Sequence, residues 1–136
     1  MMEKIILTPL KIISHPLGDL YHILKSHEES FIKFGEAYFS TIEKGAIKGW
    51  KKHLKMTLNL VVPQGKVRFV IVDENTKQFN EVILSLENYQ RLTVSPGLWV
   101  AFQGLEKNNL ILNIADLAHD PAEVIRAELD HFPYSW

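Results

Sequence analysis

Cysteine is absent from this 136-residue chain, which excludes disulfides, thiolate metal sites and a cysteine nucleophile together and fits a reducing compartment. A surplus of either charge is absent too. Fifteen basic residues against 16 acidic ones leave a formal charge of −1, so the chain has no overall attraction for a polyanion. Neither nucleic acid nor a membrane surface is expected as a partner. Long apolar runs are also missing: the opening MMEKIILTPLKII alternates apolar and polar residues and holds no stretch of leader or membrane length. It reads as the first strand of a cytoplasmic protein. There is no internal repeat, linker or low-complexity segment, no glycine-rich phosphate loop, and no nucleophile-elbow setting around Ser40, Ser85 or Ser95. Residues 1–136 are enough for one core and too few for two, so a single domain is expected.

What is present is a series of short strands. Lys4–Ile13 is β-rich and stops at His15-Pro16-Leu17-Gly18-Asp19, where proline and glycine force a turn. Asp19–Ser26 is ambiguous, whereas the aromatic Phe31–Tyr38 reads as a strand. From Met56 onward Met56, Leu58, Leu60 and Val62 share one face while Thr57, Asn59 and Val61 share the other, the period of a half-buried strand. Pro63-Gln64-Gly65 follows as a turn, with Lys66–Asp73 as the hairpin partner and Asp73-Glu74-Asn75 closing it. Glu81–Ser85, Arg91–Val94, Trp99–Gln103 and Leu110–Asn113 are further strands between turn-forming residues. Only Pro121–Leu129, with Asp120 as N-cap and Pro121 at the first helical position, has helical character. Strands at roughly ten-residue spacing with one late helix predict an all-β barrel or sandwich.

Several segments then fall into a recognisable order. Lys48-Gly49 precedes Lys51 and His53, Gly65 and Val72-Asp73 close two strands, Leu84-Ser85-Leu86-Glu87-Asn88 forms a turn, Ser95-Pro96-Gly97 leads into Leu98-Trp99-Val100-Ala101-Phe102, and the chain closes on Tyr134-Ser135-Trp136. From Phe34 to Val94 and beyond, this order resembles the dTDP-4-dehydrorhamnose 3,5-epimerase family and its sugar 3,4-ketoisomerase relatives. The resemblance implies a cupin-type antiparallel β jelly roll (double-stranded β-helix) with one short C-terminal helix. It also implies a nucleotide sugar as small-molecule ligand, no cofactor, a homodimer, and a place in surface-polysaccharide biosynthesis. The alternating Met56, Leu58, Leu60 and Val62, with Trp50 nearby, would give that dimer an apolar face.

The family's catalytic side chains are exchanged here. Its general-base histidine aligns with Lys51, its arginine with Lys48, and the glutamine two positions after the base with His53. Its second pocket histidine falls on Val100, its lysine near Leu58, and its tyrosine near Ala118 or His119. Epimerisation beside a keto group needs a base for a carbon-bound proton, a donor or cation for the enolate oxygen, and an acid. Lys51 could be the base only if burial, or the neighbouring Lys48 and Lys52, brought its pKa well down; His53 is the rival. Tyr38, His119 and Tyr134 are the candidate acids. Glu36, Lys48, Asn59, Asn113 and Tyr134 are the candidate substrate-binding residues, with Lys48 and its basic neighbours facing either the diphosphate or solvent at a sheet edge. Trp50 and Trp99 read as core aromatics. His53 has no histidine two positions away and Val100 stands where a later ligand would be, so no metal is expected. An inactive protein that keeps the nucleotide-sugar pocket, or binds a partner protein, is the alternative reading.

Overall fold

The computed structural model describes residues 4–136; the first three residues of the opening strand segment lie outside them. The described strands are β1 (Ile5–Pro9), β2 (Ile12–Ile13), β3 (Leu20–Tyr21), β4 (Glu36–Glu43), β5 (Ile47–His53), β6 (Leu58–Gln64), β7 (Lys66–Asp73), β8 (Gln78–Ser85), β9 (Gln90–Val94), β10 (Trp99–Gly104), β11 (Asn108–Ala115) and β12 (Val124–Arg126). Two five-stranded sheets, ordered β1-β9-β6-β11-β4 and β12-β5-β10-β7-β8, lie face to face, with β2 and β3 forming a small separate ribbon. All the strand pairings are antiparallel. This is the all-β, antiparallel jelly roll that the resemblance implies.

The core follows from the period of two. Leu58, Leu60 and Val62 of β6, Leu92 and Val94 of β9, and Ile111 of β11 meet Val67, Phe69 and Ile71 of β7 and Val82 and Leu84 of β8 between the sheets. The apolar face expected to cover a dimer is therefore inside the sandwich, and it supplies no interface. A second cluster, Trp50, Val70, Val72, Trp99 and Ala101, lies on the other face of the second sheet, where Ala127, Phe132, Tyr134 and Trp136 cover it. The Trp50 indole N–H donates to the carbonyl of Leu129 at 2.9 Å and fastens the C-terminal segment there.

Lys66–Asp73 is not the hairpin partner of the strand before it. β6 and β7 belong to opposite sheets, and β7 pairs instead with β10 and β8. The chain crosses between sheets at Gly65, whose φ is +84° and where a Cβ would stand 2.2 Å from the carbonyl oxygen of Asn108. No other residue fits that corner. The Asn109 side chain fastens it by accepting from the amide of Lys66 at 2.9 Å and donating to the carbonyl of Ile42 at 3.0 Å.

Two further expectations need correction. The aromatic segment becomes a strand only at Glu36, after residues 31–35 have run irregularly. The C-terminal helix is replaced by a 3₁₀ turn, Pro121–Glu123, in which Asp120 does accept from the amide of Ala122 at 3.0 Å, and a second 3₁₀ turn, Leu129–His131. The β-branched Val124 and Ile125 then favour the extended chain, which pairs with His53 and Lys52 of β5 as an edge strand.

The outer face of the first sheet is covered by the segment before β4. Arg91, with 0% exposure, donates to the carbonyl of Ile23 at 2.6 Å, to Glu28 at 2.8 Å and to Ser30 Oγ at 2.7 Å. Asn59 also points to this side, donating to the carbonyl of Ser30 at 3.2 Å and accepting from Thr93 Oγ1 at 2.6 Å.

Candidate functional site

Beside β4 and β5 the core between the sheets gives way to a cavity of about 1230 Å³, whose lining extends past β5 to Trp50, Trp99 and Glu74. Apolar walls from Leu58, Leu60, Phe69, Val100, Phe102 and Ile111 enclose it, Tyr38, Ser40, Lys48, Lys51, His53, Asn113 and Arg126 add polar groups, and Glu74, Glu128, Asp130 and His131 also belong to the lining. An apolar cleft with a few convergent polar side chains is the usual form of a small-molecule site.

A bulge in β5 decides which of its residues enter this space. Lys48 pairs with Phe102 and Lys51 with Val100, while Gly49 and Trp50 together oppose Ala101. Phe102 and Val100 both pack toward the core, so Lys48 and Lys51 share their face although three positions apart. A regular strand would put them on opposite sides. Gly49 is required here because a Cβ would lie 2.3 Å from the Cβ of Ala101. His53 follows Lys51 on the inner face, whereas Lys52 turns outward to Glu74 at 3.0 Å and to the Trp99 ring at 5.1 Å. The strand is not an exposed basic edge, since it lies between β12 and β10.

His53 is the most organised of these groups. Its Nδ1 lies 2.5 Å from Glu123 Oε1, and Glu123, only 3% exposed, also accepts from the amides of Lys55 at 3.1 Å and Met56 at 3.2 Å through its other oxygen. Burial alone would push the Glu123 pKa up, but the hydrogen bonds from His53 and the two amides outweigh it and hold the carboxyl below its ordinary value. Glu123 is therefore a carboxylate that accepts a hydrogen bond from the His53 Nδ1–H, which makes Nε2 the proton-accepting nitrogen, the arrangement of an oriented general base.

Lys51 has no ion pair among those of the described residues. Its pKa is lowered by burial first, then by the like charges of Arg126 and Lys48, with Glu123 partly offsetting them. Arg126, not Lys52, is thus the second cation that presses on it. On the opposite wall the Tyr38 hydroxyl accepts from Asn113 Nδ2 at 3.0 Å, which leaves its own proton free.

Of the residues singled out in the sequence, the cavity gathers Lys48, Lys51, His53, Tyr38 and Asn113. Val100 and Leu58, where the resemblance had a histidine and a lysine, line the same space. Four residues stand elsewhere. Asn59 is a buried link on the outer face of the first sheet. His119 is exposed in the loop before the 3₁₀ turn, and Glu36 lies outside the lining. Tyr134 bonds the Glu81 carboxylate on the outer face of the second sheet, and burial together with that carboxylate pushes its pKa up to about 12. Glu123 and Arg126 were missed, because both lie in the segment that reads as a helix. Among the described residues no group of three or more His, Asp or Glu side chains is placed to hold a metal ion, and no helix is long and apolar enough to cross a membrane.

Comparison with known proteins agrees with this geometry. Residues 3–135 match the family model described as FdtA: WxcM-like, C-terminal. A dTDP sugar isomerase from Desulfovibrio desulfuricans G20 superposes with a TM-score of 0.93 at 31% identity, over 98% of this chain and 91% of that one. QdtA, a sugar 3,4-ketoisomerase from Thermoanaerobacterium thermosaccharolyticum in complex with TDP, gives 0.81 at 21% identity over 96% and 92%. The dTDP-6-deoxy-D-glucose-3,5-epimerase RmlC from Legionella pneumophila Philadelphia 1, in complex with dTDP-4-keto-L-rhamnose, gives 0.83 at 21% over 94% and 74%. No curated protein sequence gives a match.

Proposed function

Since the chain belongs to the family described as FdtA: WxcM-like, C-terminal, we propose that it is a nucleotide-sugar isomerase that removes a proton from the carbon beside the keto group of a 4-keto-6-deoxy sugar nucleotide. The observation that carries this reading is the His53–Glu123 pair opening on the cavity. His53 Nε2 takes the carbon-bound proton, and Glu123 steadies the imidazolium that forms. The electrons pass to the carbonyl oxygen, where the Lys51 ammonium, on the same face of β5 as His53, balances the enolate charge. Tyr38, bonded to Asn113 on the facing sheet, returns a proton from the opposite wall if the product is inverted. If His53 instead returns the proton to the carbon that bore the keto group, while the hydroxyl on the deprotonated carbon passes its proton to the enolate oxygen, the carbonyl moves to that carbon and the reaction is a ketoisomerisation.

The reading makes Lys51 the cation and not the base, and the pH profile separates the two roles. Its ammonium loses its proton below the 10.5 of a free lysine, so turnover should decline on the alkaline side before that pH. Lys51→Arg, which stays charged throughout, should lose that decline. Turnover that instead rises with pH over the same range would make the amine the base. Binding is checked separately: dTDP and its 4-keto sugar should raise the melting temperature in proportion to the logarithm of their concentration.

A homodimer belongs to the same reading, as does work in the cytoplasm on a precursor of surface polysaccharide. Ile32, Phe34 and Phe39, each more than 60% exposed in and beside edge strand β4, offer the apolar surface for pairing. Sedimentation at micromolar concentration should give twice the chain mass, and a monomer would remove this part.

A further inference from the structure

We infer that Arg126, brought to the cavity by β12, is the residue that grips the diphosphate of the nucleotide sugar, in place of the side chain at position 48. The inference rests on the nucleotide-sugar reading above and assigns its anion site. Arg126 stands directly across the β12–β5 ladder from Lys51, lines the cavity and is exposed at its rim. It enters none of the ion pairs of the described residues. An exposed guanidinium that lines the cavity beside Lys51 and Lys48 and enters no ion pair of the described residues calls for an anionic ligand.

The competing cations are less well placed. Lys48, which occupies the position of the family's arginine, turns its ammonium to the backbone carbonyl of Thr41 at 2.8 Å. Lys52 is on the outer face with Glu74. Lys51 is more enclosed and lies nearer the base. Among the carboxylates of the lining, Glu74 is held by Lys52, while Glu128 and Asp130 come after the end of the β12–β5 ladder. A planar guanidinium can meet two phosphate oxygens at once, which an ammonium cannot do. The same short stretch therefore serves the site twice, since Glu123 orients the base and Arg126, three residues on, meets the anion.

The test is calorimetric titration of parent, Arg126→Gln, Arg126→Lys and Lys48→Gln with dTDP, thymidine and inorganic pyrophosphate. Arg126→Gln should weaken dTDP by about ten- to a hundredfold, the loss of one charge-assisted pair, and should abolish pyrophosphate binding while leaving thymidine unchanged. Arg126→Lys should fall between, and Lys48→Gln should cost less than either. Because Arg126 is exposed, an unchanged melting temperature without ligand will show that the fold is intact. Arg126→Gln binding dTDP as tightly as the parent would overturn the assignment while leaving the nucleotide-sugar reading in place. A parent that binds neither dTDP nor pyrophosphate would overturn both.

Discussion

Replacing His53 with glutamine is expected to slow exchange of the carbon-bound proton of a 4-keto sugar nucleotide by about 10²- to 10⁴-fold, the usual worth of a positioned general base. Glutamine is the informative substitution because its side-chain N–H can still donate to Glu123, which lies 2.5 Å from His53 Nδ1 in the parent. The buried carboxylate keeps a partner, so folding should change little while the lone pair that accepts the proton is lost. dTDP binding should persist, since the anion contacts belong to other residues. A His53→Gln protein that exchanges as fast as the parent would move the base elsewhere, with Lys51 the first residue to examine.

Glu123→Leu should damage both stability and catalysis. The carboxylate serves three donors, the His53 ring and the amides of Lys55 and Met56, and leucine serves none. Leaving buried donors unpaired costs about 1–3 kcal/mol each, so a loss of about 2–6 kcal/mol at neutral pH is expected for the two amides. Urea unfolding will measure it. The loss should depend on pH in a defined direction. The Glu123 carboxyl titrates below the 4.5 of a free glutamate, and a group with a lower pKa folded than unfolded lends stability that is complete above its unfolded value and drains away below it. The gap between parent and Glu123→Leu should therefore be full well above the 4.5 of a free glutamate and narrow as the pH falls below it. Glu28, whose carboxyl is held down mainly by its hydrogen bond from Arg91, weakens with acid in both proteins and cancels from the comparison. Catalysis should fall as well, because the imidazole loses the partner that fixes its Nδ1 proton.

The sheets were legible because a buried strand face writes a period of two into Met56 through Val62, while Lys66–Asp73, buried on both faces, reads as a continuous run of β-branched and aromatic residues. Which sheet each strand joins was not legible. That depends on the corner at Gly65, where the decisive contacts come from Asn108 and Asn109, more than forty positions away. The basic strand does line the cavity, but its phase was set by Ala101 opposing two residues at Gly49 and Trp50, and nothing local to β5 announces that bulge. Asp120-Pro121 gave a true turn signal and a false helix. Val124 and Ile125 were the available hint that the chain would extend. Glu123 was hidden for the same reason, since a glutamate in the first turn of a helix is ordinary, and its partner His53 lies 70 positions earlier. Asn59 was counted with the substrate-binding residues because it shares strand parity with Lys51 and His53, yet it alternates with the core residues Leu58 and Leu60 of β6 and so faces away from the cavity.

The measurement that bears most directly on the central claim is proton NMR of dTDP-4-keto-6-deoxyglucose in deuterated buffer with the parent protein. The account expects the signal of a hydrogen on the carbon beside the carbonyl to disappear at a rate proportional to protein concentration and far above the protein-free control. A signal that persists unchanged, in a sample where the same nucleotide sugar raises the melting temperature of the protein, would contradict it and leave a binding protein without this chemistry.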